Sequence, residues 1–523
     1  MKCSAICFAK GLRGLQAATA TNPIGWVALA LACIVLPGCA TDALERAPTT
    51  ANAPWQPTTR VLAEAVEFSP SELSGFAVPS VPALAQVEPS PVIDTSKVFQ
   101  LPELIDIAQR ENPQTRQAWN RARQAALATG MVEATFLPML SVNVIGGYQR
   151  TSQPLPLQVG GYRNLDTNIN GTVPALALGW LLFDFGQREA LLEEASQISF
   201  AANVLFNAAH QKVIRDVTNQ FYHYNTARMR AKLARETLTN QRKVERAVRE
   251  KLKAGVATSI ELALVQQAVA QAKLQLVNSE GIERDTYLAL MSALGLPPTT
   301  KLNIAEIPIR TLPAATDSIT TQRMQQALAQ RPDLVAAYAS VKAAQASVKA
   351  AEAEFLPKVY LGAVAANSRI SFDVRGLPGL SQTSTSSGVL LGITMPIFDG
   401  GLRRARLREA EIQVEQAKQT LQTQKRDAIQ EMVAAETVLR STLQSFEAAT
   451  TLVSAAQTTY DAAFDAYRNG VGTLTTVTEA TTNLLDARQA RADAHNAAMA
   501  AAANLAFVMG RMTAPRSSWL TPG

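Results

Sequence analysis

Beyond residue 39 this sequence has no cysteine: Cys3, Cys7, Cys33 and Cys39 are the complete set in 523 residues. No disulfide can therefore staple the fold that follows. Histidine is scarce as well, and His210, His223 and His495 stand at no metal-ligand spacing to another ligand cluster. Nucleotide-binding loops, nucleophile elbows and catalytic pairs are missing. Asp184-Phe185-Gly186 spells a kinase-like triplet, yet it lacks the Gly-rich loop, catalytic Asp loop and Mg-binding Asn that such a site needs. Its counterpart later in the chain is Asp399-Gly400-Gly401, so a structural turn accounts for both. No catalytic, cofactor-binding or metal residue is assigned, and the eleven methionines are scattered without the clustering of a copper relay. The formal charge of +6 comes from basic residues interleaved with Glu and Asp along helical stretches. That pattern reads as solvated helix faces, not as a nucleic-acid surface.

What the sequence does have begins with a targeting segment. Lys2, Lys10 and Arg13 make a basic start, Trp26 to Val35 forms a short apolar core, and Leu36-Pro37-Gly38-Cys39 follows at once. This is a secretory signal that ends at a cysteine. The tetrad resembles a bacterial lipobox, with Pro37 in place of the usual residue there. The resemblance implies a signal peptide over residues 1–38, cleavage before Cys39 and acylation of that cysteine. The alternatives are an ordinary signal peptide with a chance cysteine, or an uncleaved anchor. Two or more acyl chains would anchor the protein stably, at about 0.8 kcal/mol per buried methylene. Ala40, with no aspartate beside the cysteine, is similar to the outer-membrane sorting pattern of such lipoproteins. Through residues 39–97 prolines recur from Pro48 to Pro91 without a helical period, so this part reads as an extended tether.

After the tether the chain repeats itself. Pro113 and Phe136-Leu137-Pro138 recur as Pro332 and Phe355-Leu356-Pro357, 219 residues later (332 less 113). Phe183-Asp184, Gly186, Gly255-Val256, Thr258 and Gly295 recur as Phe398-Asp399, Gly401, Gly470-Val471, Thr473 and Gly510, 215 residues later (398 less 183). The offset changes only between Pro138 and Phe183. One repeat spans 98–300, a linker 301–321, the second repeat 322–515 and a tail 516–523. Each repeat reads as helix, two strands, long helix, helix. Asn112 is the expected N-cap before Pro113 at the first helical position, and Phe136-Leu137-Pro138 ends that helix. The strands are expected over 139–150 and 172–183, and over 358–367 and 388–397. Leu140, Val142, Val144 and Tyr148 alternate with Ser141, Asn143 and Gln149. Polar loops are expected over 151–171 and 371–387, with the second strand starting after Pro174. Proline is absent from 187–254 and from 402–469, so each is expected to be one helix of roughly 100 Å, returning through 258–294 and 473–509.

Segments of about 10 weakly alternating residues suit a tilted crossing of a bilayer as β-strands and are too short for a spanning helix. Four strands cannot close a barrel, and open edges cannot persist in hydrocarbon, so the chain is expected to oligomerise. Three copies give twelve strands.

The two Asn-Pro or Arg-Pro-Asp helix starts (Asn112-Pro113, Arg331-Pro332-Asp333), the Phe-Leu-Pro exits, the Phe-Asp-x-Gly junctions and the Gly-Val-x-Thr turns together resemble the TolC-like outer-membrane efflux factor family over residues 98 to 515. The resemblance implies an α+β membrane protein: a homotrimer whose twelve-stranded outer-membrane β-barrel continues into a long periplasmic α-helical coiled-coil tunnel, with two tandem structural repeats per chain. It also implies an adaptor-docking tip at Gly255, Val256, Thr258, Gly470, Val471 and Thr473, in hairpins Lys253 to Glu261 and Arg468 to Glu479. Family members place aspartates just after the second turn. Here Thr476 and Glu479 stand there, with Glu261 at the first-repeat equivalent of Thr476, making these three residues a possible aperture gate. A helix-surface glutamate that is merely solvated is the alternative.

The expected function is the outer-membrane exit duct of a tripartite efflux pump, without chemistry or cofactors of its own. It would pass small toxic compounds from a periplasmic adaptor and a proton-driven inner-membrane transporter to the exterior, anchored in outer-membrane lipid and binding no nucleic acid. A duct for type I protein secretion and a non-transporting coiled-coil envelope scaffold are the alternatives. Cys39→Ser is expected to abolish fatty-acid labelling of the protein; unchanged labelling would refute the lipobox.

Overall fold

A computed structural model describes residues 94 and 96–512, apart from 160–161, 315–319 and 375–377 and the side chains of 155–163. The signal segment, Cys39 and nearly all of the tether, as well as the tail, lie outside the described residues. Within residues 90–523 the elements run β1 (Val98–Phe99), α1 (Leu101–Glu111), α2 (Pro113–Ala134), β2 (Met139–Val159), β3 (Tyr162–Phe183), α3 (Gln187–Lys253) and α4 (Ser259–Leu294). The same order recurs as β4 (Asn303–Ile304), α5 (Thr321–Gln330), α6 (Pro332–Ala353), β5 (Lys358–Val374), β6 (Leu380–Thr394), α7 (Leu402–Arg468) and α8 (Leu474–Val508). The short helices α1 and α5 and the two-residue parallel pairing of β1 with β4 were not anticipated from the sequence.

Helices α3 and α7 are each 67 residues long, about 100 Å at 1.5 Å per residue. Each starts after a glycine in the left-handed region, Gly186 or Gly401, where α geometry cannot extend backwards. Each stops in a Schellman turn: Val256 N–H donates to Lys251 O, and Val471 N–H to Ala466 O. None of the described helices is both long and apolar enough to cross a membrane.

The four long strands form one antiparallel sheet in the order β2-β3-β5-β6. They have 21, 22, 17 and 15 residues, so the expected 10-residue strands and the loops at 151–171 and 371–387 are corrected. Thr151 pairs with Thr167, Ser152 with Asp166 and Ser371 with Ser381 inside the supposed loops. Ladder bonds use only the backbone, so polar side chains continue a hairpin wherever it leaves an apolar environment. Pro174 is likewise inside β3, opposite Val144. Pairing of β3 with β5 lapses at Val173 and Pro174 without a change of register, which accommodates the missing donor.

The main core lies near the middle of α3, where Leu104, Ile105 and Ala108 of α1 pack against Val217 and Phe221 of α3 and Leu290 and Leu294 of α4. A smaller counterpart joins Ala327 of α5 to Met432 and Ala435 of α7 and Val508. The repeats meet along α3: Ala201 packs on Ala336 and Ala339 of α6, Lys349 pairs with Glu193 at 2.9 Å, and Arg230 makes a two-toothed ion pair with Asp493 of α8. The linker is pinned from the same helix, by Arg228 donating to Ile304 O at 2.7 Å and Ala305 O at 2.8 Å.

Asn112 caps α2 by accepting from Gln114 N–H at 2.8 Å, and its amide donates to Ala293 O at 2.9 Å. Gly295 sits against this cap with φ +76°; a Cβ there would lie 2.6 Å from Asn112 Cα. Gly255 has the same φ with nothing within 4 Å. Gly255→Ala should therefore cost only the left-handed backbone, about 1–2 kcal/mol. Gly295→Ala, which must also displace the Asn112 backbone, should lower the thermal midpoint distinctly more; equal midpoints would refute the contact.

Candidate functional site

Register assigns the two faces of the sheet. Leu140, Leu178, Ala363 and Val389 lie side by side on one face, and Trp180, Leu361 and Leu391 form a row next to them. The opposite face carries Ser141, Ala177, Val364 and Gly388 in one row and Asn143, Ala175, Ala366 and Ser386 in the next. One face is thus bulky and apolar in these rows, and the other is mostly small, with Ser141, Asn143 and Ser386 its polar members and Met139 and Leu390 at the two edges of the row beyond. Val142, Val144, Val389, Leu391 and Ile393 are all exposed, the last at 71%. Among the described residues, strands β2 and β6 are edges, each pairing on one side only.

At the foot of the sheet, Asp184 and Arg188 form an ion pair at 2.9 Å with side chains only 2% and 8% exposed. The same carboxylate accepts the Arg188 N–H at 3.1 Å and so caps the first turn of α3. Arg188 also donates to Thr135 O at 3.0 Å and lies 4.6 Å from the centre of the Phe136 ring, tying strand, long helix and the Phe-Leu-Pro exit together. The second repeat rebuilds the knot with Asp399, Arg403 and Phe355 in a more exposed setting. Hydrogen bonds from the Arg403 side chain lead the causes that hold the Asp399 carboxyl down at about 2, below its ordinary 3.8. The Phe-Asp-x-Gly motif drew attention to the aspartates and missed the arginines. The signal was present as Asp and Arg four residues apart in both copies.

At the far end of the long helices the six residues of the expected tip are placed in two turns. Gly255 and Gly470 both have φ +76°, and Val256 and Val471 are 72% and 83% exposed. Thr258 and Thr473 cap α4 and α8, accepting from Glu261 N–H and Thr476 N–H. Glu261 returns its carboxylate to Thr258 N–H at 2.7 Å, completing a capping box. Thr476 makes a hydroxyl pair with Thr473 at 2.8 Å in the same position, and Glu479 is exposed one turn on. Two residues that sequence reasoning passed over join the hairpins: Leu474 packs with Val248 and Val265, and Lys251 lies 4.0 Å from the centre of the Tyr467 ring.

Removing one partner of a buried pair leaves the other charge uncompensated, at a cost of about 3–5 kcal/mol. Asp184→Ala should approach that loss, and Asp399→Ala, in the more exposed knot, should lose less; the order is read from chemical unfolding of the two variants. The Asp399 pKa is lower folded than unfolded, so its contribution is complete above 3.8 and fades as pH falls towards about 2.

Residues 104–296 and 324–511 match the outer membrane efflux protein family. The chain is 29% identical over 416 residues to protein CyaE of Bordetella pertussis, covering 79% of this chain and 84% of that one. It is 24% identical to cation efflux system protein CusC of Escherichia coli, over 75% of this chain and 82% of CusC. Its fold is shared with the outer membrane channel MtrE of Neisseria gonorrhoeae, with a TM-score of 0.62, 21% identity and coverage of 80% and 90%. With two matched segments that take in both copies of the strand pair and both long-helix hairpins, the chain belongs to the outer membrane efflux protein family.

Proposed function

We propose that the protein is the outer-membrane exit duct of a tripartite efflux pump, working as a homotrimer. The observation that carries this reading is the four-stranded sheet with one bulky apolar face, one face of mostly small residues and, among the described residues, two unpaired edges. Edge amides in hydrocarbon cost several kcal/mol each, so β6 of one copy must pair with β2 of another. Three copies close twelve strands, wide enough for a lumen. The long helices then continue the lumen as a tunnel through the periplasm, and a passive conduit needs no catalytic residue or cofactor.

In this reading the lipid on Cys39 anchors the chain in the outer membrane from outside the duct. The exposed turns at Gly255, Val256, Thr258, Gly470, Val471 and Thr473 dock a periplasmic adaptor, which connects to a proton-driven inner-membrane transporter. Glu479 and Glu261 put carboxylates at the tip that favour cations, with Glu261 held in place by its capping box. Thr476, a hydroxyl, adds no charge. The cargo is a small toxic compound, and the resemblance to a cation efflux system protein makes metal cations the first class to test. A duct serving protein secretion would share this architecture.

Purified protein should migrate as a detergent-stable trimer and conduct ions in planar bilayers; a monomeric, non-conducting particle would overturn the duct. Deleting the gene and comparing metal and drug tolerance with the profile of secreted proteins separates the two cargo classes.

A further inference from the structure

We propose that the C-terminal half of α3 carries a binding face for the carboxylate-bearing stem peptides of cell-wall peptidoglycan, centred on Arg242, Lys243 and Arg246, so that the duct is held by the mesh it passes through. The proposal rests on the reading of the long helices as a periplasmic tunnel and adds a second periplasmic partner to it. It does not depend on the number of copies.

The duplicated chain supplies its own reference for charge. Residues 228–253 of α3 hold ten Lys and Arg against three Glu, a net +7 (10 less 3). Their counterparts 215 positions on, residues 443–468 of α7, hold one Arg against one Glu and two Asp, a net −2 (1 less 3). Lys232 is answered by Glu447, and Arg246 by Asp461. Both helices nevertheless have 67 residues, start after a left-handed glycine and end in the same turn, so the backbone plan does not call for the cations.

Several of these cations serve the fold. Arg228 holds the linker, Arg230 meets Asp493, Lys251 covers the Tyr467 ring, and Arg235, Arg249 and Lys253 pair with Glu280, Glu245 and Glu250. Arg242, Lys243 and Arg246 are exposed and have no carboxylate partner among the described residues. Arg242, Arg246, Arg249 and Lys253 are spaced at helical intervals on one face of α3, and Arg235 extends that face to about 27 Å at 1.5 Å per residue.

The residues around these cations decide the kind of partner. Of the residues exposed between Lys232 and Lys253, Ala247 alone has neither a polar nor a charged side chain. A docking helix needs apolar anchors every three or four residues, and this face offers none, so it holds its partner by charge. The face begins about 70 Å along α3 from the strand junction, far beyond the hydrocarbon that the strands span. At that depth of the periplasm a passage meets the peptidoglycan mesh, whose stem peptides repeat free carboxylates. Single exposed ion pairs are weak, so the contact works by repetition, with several cations on each helix against many carboxylates on the mesh.

Full-length protein in detergent, mixed with purified protein-free sacculi, should co-sediment at low salt and be released by raised salt. Sacculi whose carboxylates have been amidated should retain several-fold less of it. Arg242→Gln with Arg246→Gln should lower retention on native sacculi several-fold. Thr458→Glu with Ala462→Glu makes the same change of net charge at exposed positions of α7 and should leave retention near the parental level. Equal retention on native and amidated sacculi, unchanged retention of the first double variant, or equal loss in both variants would overturn the contact. So would anion-selective conductance that the first double variant abolishes, because the face would then line the passage. Equal retention on vesicles of anionic phospholipid would make the partner a membrane and overturn it too. Retention of a particle that does not conduct would keep the contact and overturn the duct.

Discussion

A backbone amide in hydrocarbon must find a partner, and among the described residues the sheet leaves two rows of amides without one. Strands β2 and β6 each pair on one side only. Everything else in the proposed assembly follows from satisfying them: the number of copies, the closure of the wall and the ring of helices that hangs beneath it. The apolar side chains on one face do not supply this constraint. They decide only which way the wall faces once it has closed.

The sheet would be useless as a duct if it could swivel on its helices. The knot at Asp184–Arg188 opposes that, because one arginine holds the helix cap, Leu182 O at the end of β3, and Thr135 O and the Phe136 ring at the preceding helix exit, while Arg403 holds Asp399 and the Phe355 ring. Burial makes the first knot rigid: a guanidinium 8% exposed has no water to fall back on if its carboxylate moves. The same pair, more exposed in the second repeat, is the softer joint.

Duplication supplied one backbone plan twice and left the side chains free to diverge. Where Asn112 ties the start of α2 to Ala293 O through an amide, Arg331 ties the start of α6 to Val508 O and adds ion pairs with Asp333 and Glu431. Where the first repeat puts Glu261 into a capping box, the second closes the same turn with two threonine hydroxyls. Geometry is held by glycine and the N-cap, so charge can change at the tip without changing its shape.

The sequence by itself determined the long helices and their turns. An absence of proline over 187–254 and 402–469, bounded by Gly186, Gly255, Gly401 and Gly470, leaves the backbone little choice, because these signals are local. It also located the strands through Leu140, Val142 and Val144, although not their length, since Arg150 to Val159 are polar or broken by proline and their pairing is decided across the hairpin. Only the tertiary structure decided that Arg188 reaches back to Thr135 O and the Phe136 ring, that Arg228 holds the linker at Ile304 O and Ala305 O, and that Arg230 meets Asp493. Those facts depend on which residues meet across distances of tens to hundreds of positions in the chain, and no periodicity or motif carries that information.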